Sequence, residues 1–367
     1  MVELLDRLNC ERMAESQAAA ELRAALASLI ADTAASRECW TVFRRFLESH
    51  CAEFTSHMER YTAEEDQIAA LATMLIPIAR MGFSSGSHRS DLFKAAEKMG
   101  VHIMPVHFYS PVPNLQAIPE AAWNHQWRPA RGFRWDTHLQ FETLLRLGKW
   151  GPELSSVPLK AAGPGDFYWG NPALSRGDAT IYYSMIREYR PAQVVEIGSG
   201  YSSMLAARAC LLNGITKLSC IEPYPMAALE GLAGLTELIK APVQDLPPAW
   251  FDRLAANDIL FVDSTHVSKI GSDVNYLILD VLPRLKPGVL VHFHDIFLPY
   301  QMPRPWLMDQ QLMWNEQYLL SAFLLFNDAF EVMCANHWLG RDHPDAFLKA
   351  FPAVNPPGGA SFWMRRR

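Results

Sequence analysis

The chain has 367 residues, 50% of them hydrophobic, and a formal charge of −6 at pH 7. That length holds one large or two medium domains, since domains commonly run about 100 to 200 residues, and the apolar half suffices for a sizeable core. The acidic balance offers no basic stripe for nucleic acid, which leaves Arg365-Arg366-Arg367 as a solvated tail.

The start, Met1 to Arg7, carries acids and lacks the basic and apolar regions of a secretory signal. The longest apolar patch near it, Ala69 to Ile78, falls short of the ~20 residues that span a bilayer. No membrane partner and a cytoplasmic location are therefore expected. Residues 1–80 are rich in Ala, Leu, Glu and Arg, with Leu22, Leu26, Leu29 and Ile30 at helical spacing. They predict a helical region, with further helices over 40–55 and 64–81, whose apolar faces serve packing or homodimerisation. The cysteines at 10, 39, 51, 210, 220 and 334 show no metal-ligand or redox spacing and read as buried thiols.

Residues 81–177 change character. A helix is expected over 87–99, and prolines keep the following stretch to Pro111 extended. Trp123, Trp127, Trp135 and Trp150 then precede Phe167-Tyr168-Trp169-Gly170-Asn171. Aromatic and polar groups interleaved on irregular backbone suit a lid over a substrate, and equally the cement of a loop-rich subdomain.

Residues 178–367 alternate strands and helices, the pattern of a parallel doubly wound α/β sheet. A helix over 178–190 leads in. Strands are expected at 193–197, 217–221, 235–240, 258–263 and 288–294, with helices near 202–213, 225–233, 247–255, 269–285 and 309–326. Two β-rich runs, 330–337 and 360–365, close the chain across a Gly/Pro-rich loop and are expected to pair antiparallel at the sheet edge.

The most informative stretch is Val194-Val195-Glu196-Ile197-Gly198-Ser199-Gly200-Tyr201-Ser202-Ser203. A β-branched run ending in Glu-x-Gly-x-Gly and feeding a helix lets backbone approach a ligand beside unpaired helix N–H groups. A dinucleotide fingerprint would carry a third glycine where Ser203 stands. Glu196 would repel a pyrophosphate but suits a cationic aminoacyl group. Glu222, at the end of the next strand, is placed to accept from ribose hydroxyls.

On these residues the chain resembles the class I S-adenosylmethionine-dependent methyltransferases. Glu196-Ile197-Gly198-Ser199-Gly200 is similar to their first motif and Glu222 to their ribose acid. Phe261-Val262-Asp263-Ser264-Thr265-His266, Lys286-Pro287-Gly288 and His294-Asp295 resemble a bacterial branch of small-molecule and sugar O-methyltransferases. The resemblance covers about residues 178 to 367 and implies a Rossmann-like sheet with a C-terminal antiparallel hairpin. It also implies S-adenosylmethionine as cofactor, held by Glu196, Gly198, Ser199, Gly200, Tyr201, Ser202, Glu222, Gln244, Asp245 and Asp263.

Ligands of such sheets bind beyond the carboxyl ends of the strands, where Asp263, His266, His294 and Asp295 fall. His266 and His294 are the candidate general bases, with Asp295 beside them, because an imidazole titrates near neutrality. The same four residues could instead hold a divalent metal that acidifies a hydroxyl. His292, deeper on its strand, reads as a core histidine; His102, His107 and His337 are further groups within conceivable reach of the cleft. The expected reaction is O-methylation of a small-molecule acceptor, a sugar or natural-product intermediate. N-methylation, peptide methylation, a nicotinamide-dependent oxidoreductase and a non-catalytic scaffold are the alternatives.

Overall fold

The computed structural model describes residues 106–127 and 134–367, with Glu97, His102 and Met104 before them. The helices expected over 22–30, 40–55 and 64–81, and most of 87–99, lie outside the described residues, as do Cys10, Cys39 and Cys51. Ala117–Arg367 make up one compact unit. No helix among the described residues is long and apolar enough to cross a membrane.

Five parallel strands come first in the chain: β1 (Gln193–Ile197), β2 (Lys217–Ile221), β3 (Leu235–Ile239), β4 (Ile259–Val262) and β5 (Leu290–Phe293). Then follow β6 (Phe330–Ala335) and β7 (Phe362–Arg366), and the sheet order is β3-β2-β1-β4-β5-β7-β6. β7 runs antiparallel to both β5 and β6, which is the expected terminal pairing. β4 and β5 are buried along their whole length, as continuous apolar strands covered on both faces must be.

Register decides where the polar residues emerge. Ile197 pairs with Ile221 and with Val262, and Val262 pairs with Phe293. The next residues of the four strands, Gly198, Glu222, Asp263 and His294, therefore leave the sheet along one edge.

The principal helices are α1 (Thr137–Leu147), α2 (Arg176–Tyr189), α3 (Tyr201–Asn213), α4 (Glu316–Leu324), α5 (Asn336–Asp342) and α6 (Pro344–Ala350). Ser175 caps α2 by accepting from the Asp178 amide at 3.1 Å, and the helix ends at Arg190 in a left-handed conformation, φ 46°. α3 starts directly after Gly200.

Several expected helices are shorter or absent. The stretches near 225–233 and 247–255 form only the short turns Ala227–Leu229 and Pro248–Arg253; Pro225, Gly231, Pro247 and Pro248 disfavour a longer helix. The segment near 269–285 is a short α turn (Asp273–Asn275) widening to π geometry over Tyr276–Val281. The expected 309–326 helix begins only at Glu316, because Gln311 turns left-handed at φ 52°. The closing connection carries α5 and α6, where the sequence pattern showed no sustained helix.

Some of the aromatics between 81 and 177 are packing residues. Trp150 donates from Nε1 to Glu188 Oε2 at 2.9 Å, and Trp135 stands edge-on to Trp338 at 5.3 Å. Cys210, Cys220 and Cys334 are free and buried, as expected of core thiols.

Candidate active site

The loop between β1 and α3 is organised by the carboxylate of Glu196, which has no exposed surface. It accepts from the hydroxyls of Ser202, Ser203 (3.0 Å) and Tyr182 (3.1 Å). Burial pushes its pKa up to about 7, against the lowering effect of those three hydroxyls. Glu196 is thus a buried bracket behind the loop, its carboxylate engaged by Ser202, Ser203 and Tyr182. Ser203 Oγ in turn accepts from the Gly200 amide at 3.0 Å, so the first turn of α3 is tied back to β1.

The two glycines differ in what they clear. Gly198 has φ +78°, and a Cβ there would lie 1.7 Å from the carbonyl oxygen of Asp263. Its need for glycine comes from the close approach of the β4 end, where ligand clearance was expected. A Cβ on Gly200 would meet only Met226 Sδ at 3.8 Å, so this glycine borders open space. Glu222 accepts from the amides of Ser199 (3.3 Å) and Tyr224 (2.8 Å), which fixes its carboxylate beside that space. Tyr201 follows Gly200, and its hydroxyl lies 3.5 Å from that of Tyr168, whose ring stands edge-on to it. Gln244 and Asp245 are exposed on the turn after β3, with Gln244 Nε2 donating to Gly271 O at 3.3 Å.

Beyond β4 and β5, imidazoles and carboxylates interleave. His266 Nε2 lies 3.4 Å from Asp263 Oδ1 and 3.7 Å from Asp295 Oδ2, while its Nδ1 donates to Glu316 Oε2 at 2.9 Å. His294 Nδ1 lies 3.2 Å from Asp295 Oδ1 and 3.8 Å from Asp263 Oδ1. Its Nε2 faces Asp178 Oδ2 at 3.6 Å, too long for a hydrogen bond but close enough for charge attraction. Both imidazoles are held toward the protonated form although burial opposes it: the carboxylates raise His266 to about 10 and His294 well above the ordinary range. The His294 and His266 rings hold Asp263 down to about 2 against the pull of burial. His266 and Asp295 both adopt left-handed backbone, φ 60° and 57°, a sparsely populated state for non-glycine residues that clusters at functional sites.

One donor atom each from Asp263, His266 and Asp295 lies within 4.8 Å of the others. His294, the fourth residue of the expected metal set, is not part of this group and lies between Asp295 and Asp178. Two carboxylates and one imidazole at this separation fit a divalent cation. A small pocket opens here, lined by His266, Asp295, Met302, Trp314 and Tyr318 among others. Tyr318 also lines a larger cleft of about 820 Å³ with Trp127, His125 and Ser321.

The sequence did not single out Glu316 and Asp178 at this centre, or Tyr168 beside Tyr201. Glu316 and Asp178 are 2% and 1% exposed, and both stand directly behind an imidazole. Asp178 also accepts from Asn336 Nδ2 and from the amides of Ala360 and Ser361, all at 2.8–3.0 Å, locking the final strand to α2. The available signals were the capping pattern Ser175-x-x-Asp178 and an acid opening the apolar run of α4. Tyr168 was visible only as one aromatic in a rich segment. His292 is the core histidine expected, with no exposed surface, a hydrogen bond between Nε2 and Ser361 Oγ at 2.9 Å, and stacking on Phe261. His337 packs edge-on against Phe297 and Tyr300.

Residues 195–296, which contain the glycine loop and the whole Asp/His cluster, match the methyltransferase domain family. Residues 195–296 of this chain are a methyltransferase domain. The methyltransferase is 31% identical over 176 residues to an uncharacterized protein of Archaeoglobus fulgidus, a match spanning 44% of this chain and 78% of that protein. It is also similar to the O-methyltransferase of Bacillus cereus, solved in complex with SAH. That likeness has 12% identity and a TM-score of 0.34, and covers 62% of this chain and 91% of that one.

Proposed function

We propose that this methyltransferase methylates a hydroxyl of a small molecule, with a divalent cation held by Asp263, His266 and Asp295. The observation that carries the reading is the grouping of those three donors, within 4.8 Å of one another, at the strand edge that also bears the Gly198–Gly200 loop. S-adenosylmethionine would supply the methyl group and leave as the S-adenosylhomocysteine thioether, while a cation at the cluster would acidify the acceptor hydroxyl, whose proton passes to bulk water.

The chain's own residues then have separable tasks. Glu222, anchored by two backbone amides, receives the ribose hydroxyls. Gly200 leaves space beside the loop, and Tyr168 with Tyr201 borders it. Asp263 and Asp295 would hold the cation with His266, while His294 stays between Asp295 and Asp178 and orients the Asp295 carboxylate. The cleft past Tyr318 gives a small acceptor an approach to the cluster. Alignment is the main demand of an in-line methyl transfer, and orientation of this kind supplies on the order of 7–11 kcal/mol in favourable cases. In this reading Trp127, on the cleft that Tyr318 also lines, shapes the acceptor side.

The test is calorimetric titration with S-adenosylhomocysteine and with Mn²⁺, each with EDTA controls, and with NADH for comparison. Wild type is expected to bind the first two and ignore NADH, and Asp263→Ala to lose Mn²⁺. Binding of S-adenosylhomocysteine without any Mn²⁺ binding would overturn the cation and leave a metal-free methyltransferase.

A further inference from the structure

Glu316 opens α4, fifty positions after His266 and outside residues 195–296 that match the methyltransferase domain. Its carboxylate is 2% exposed, and only one of its oxygens is engaged: Oε2 accepts from His266 Nδ1 at 2.9 Å, while Oε1 has no partner. Burying a carboxylate is costly unless the group is fully paired, so packing alone gives no reason for an acid here.

The grip on His266 is double. The backbone amides of Asn315 and Glu316 both donate to the His266 carbonyl, at 3.0 and 3.1 Å. Asn315 Oδ1 also accepts from the Ser268 amide at 2.6 Å. The start of α4 thus holds His266 by its main chain, in the left-handed conformation at φ 60°, and by the far nitrogen of its ring.

We propose that Glu316 is the positioning residue of the Asp263–His266–Asp295 centre. By occupying Nδ1 it leaves Nε2 as the ring atom presented to Asp263 and Asp295 and fixes the orientation of the ring, as hydrogen-bond partners behind ligand histidines do. Asn315 fixes the backbone from which the ring is aimed. The inference rests on the reading of these three residues as a cation site. The competing role, a negative charge that favours the start of a helix, needs the charge and not its contact with the ring.

Two conservative variants separate the roles. Glu316→Gln keeps an oxygen that can accept from Nδ1 and loses the charge. Glu316→Asp keeps the charge at the helix start but withdraws it from the ring by one methylene. Mn²⁺ affinity of the full chain is measured by calorimetry, with S-adenosylhomocysteine affinity as the check on folding. A positioning role predicts that Glu316→Asp weakens Mn²⁺ about 10- to 100-fold while Glu316→Gln stays within about fivefold of wild type, both binding S-adenosylhomocysteine normally. Unchanged Mn²⁺ affinity in Glu316→Asp, or loss in Glu316→Gln with retention in Glu316→Asp, overturns the proposal. If wild type binds S-adenosylhomocysteine and no Mn²⁺, the cation reading itself falls and the positioning role with it.

Discussion

Replacing Glu196 by glutamine should flatten the pH dependence of folding stability in one defined window. In the folded chain Glu196 titrates at about 7, against an ordinary value of 4.5, chiefly because its carboxylate is buried. A group whose folded pKa is raised contributes its full stabilising share below the unfolded pKa, and loses it as pH rises through the folded one. Wild type should therefore lose stability between pH 4.5 and 7, by about 1.4 kcal/mol per pH unit and about 3 kcal/mol in all from this residue. The Glu196→Gln variant keeps an acceptor for Ser202 and Ser203 without a proton to lose, so it lacks this slope. Urea unfolding of both proteins between about pH 4 and about pH 8 reads the difference directly. Glu316 is also raised and slopes the same way, which is why the comparison is between proteins and not against a theoretical curve. Parallel wild-type and variant profiles would refute the assignment of Glu196 as a buried, protonatable bracket.

Gly200→Val should fold normally and lose S-adenosylhomocysteine binding, since its side chain would enter the space beside the loop; normal affinity by calorimetry would move the cofactor elsewhere. Gly198→Ala should instead destabilise the protein by more than about 4 kcal/mol, read as a fall in melting temperature, because the added carbon meets the Asp263 carbonyl at 1.7 Å. Asp178→Asn should cost about 3 kcal/mol at neutral pH, through loss of charge-assisted bonds to Ala360, Ser361 and Asn336. Its folded pKa is lowered, so that stabilisation is present above the ordinary value of 3.8 and fades below it; unfolding midpoints at neutral pH and at about pH 3 check both statements.

The order of elements was readable along much of the doubly wound half. Short β-branched runs bounded by Gly, Pro and Asp mark the strands, and each strand end with its polar successor is a local pattern. The expectations that failed were helices across 225–233 and 247–255, where proline and glycine outweighed propensity, whereas the helix near 269–285 is present as successive α, π and 3-10 turns from Asp273 to Arg284.

The sequence by itself determined the sheet, the glycine loop, the acid after β2 and the residues after β4 and β5, because strand period and turn chemistry are set by neighbours in the chain. Only the tertiary structure decided what those residues face. It turned Glu196 inward onto Ser202 and Ser203, set Gly198 against Asp263, lodged His294 between Asp295 and Asp178, and placed Glu316 behind His266. Asp178 and Ala360 are 182 positions apart, and no local spacing encodes such a meeting. It follows from strand register and helix docking, which bring side chains together only when the whole sheet has closed its core.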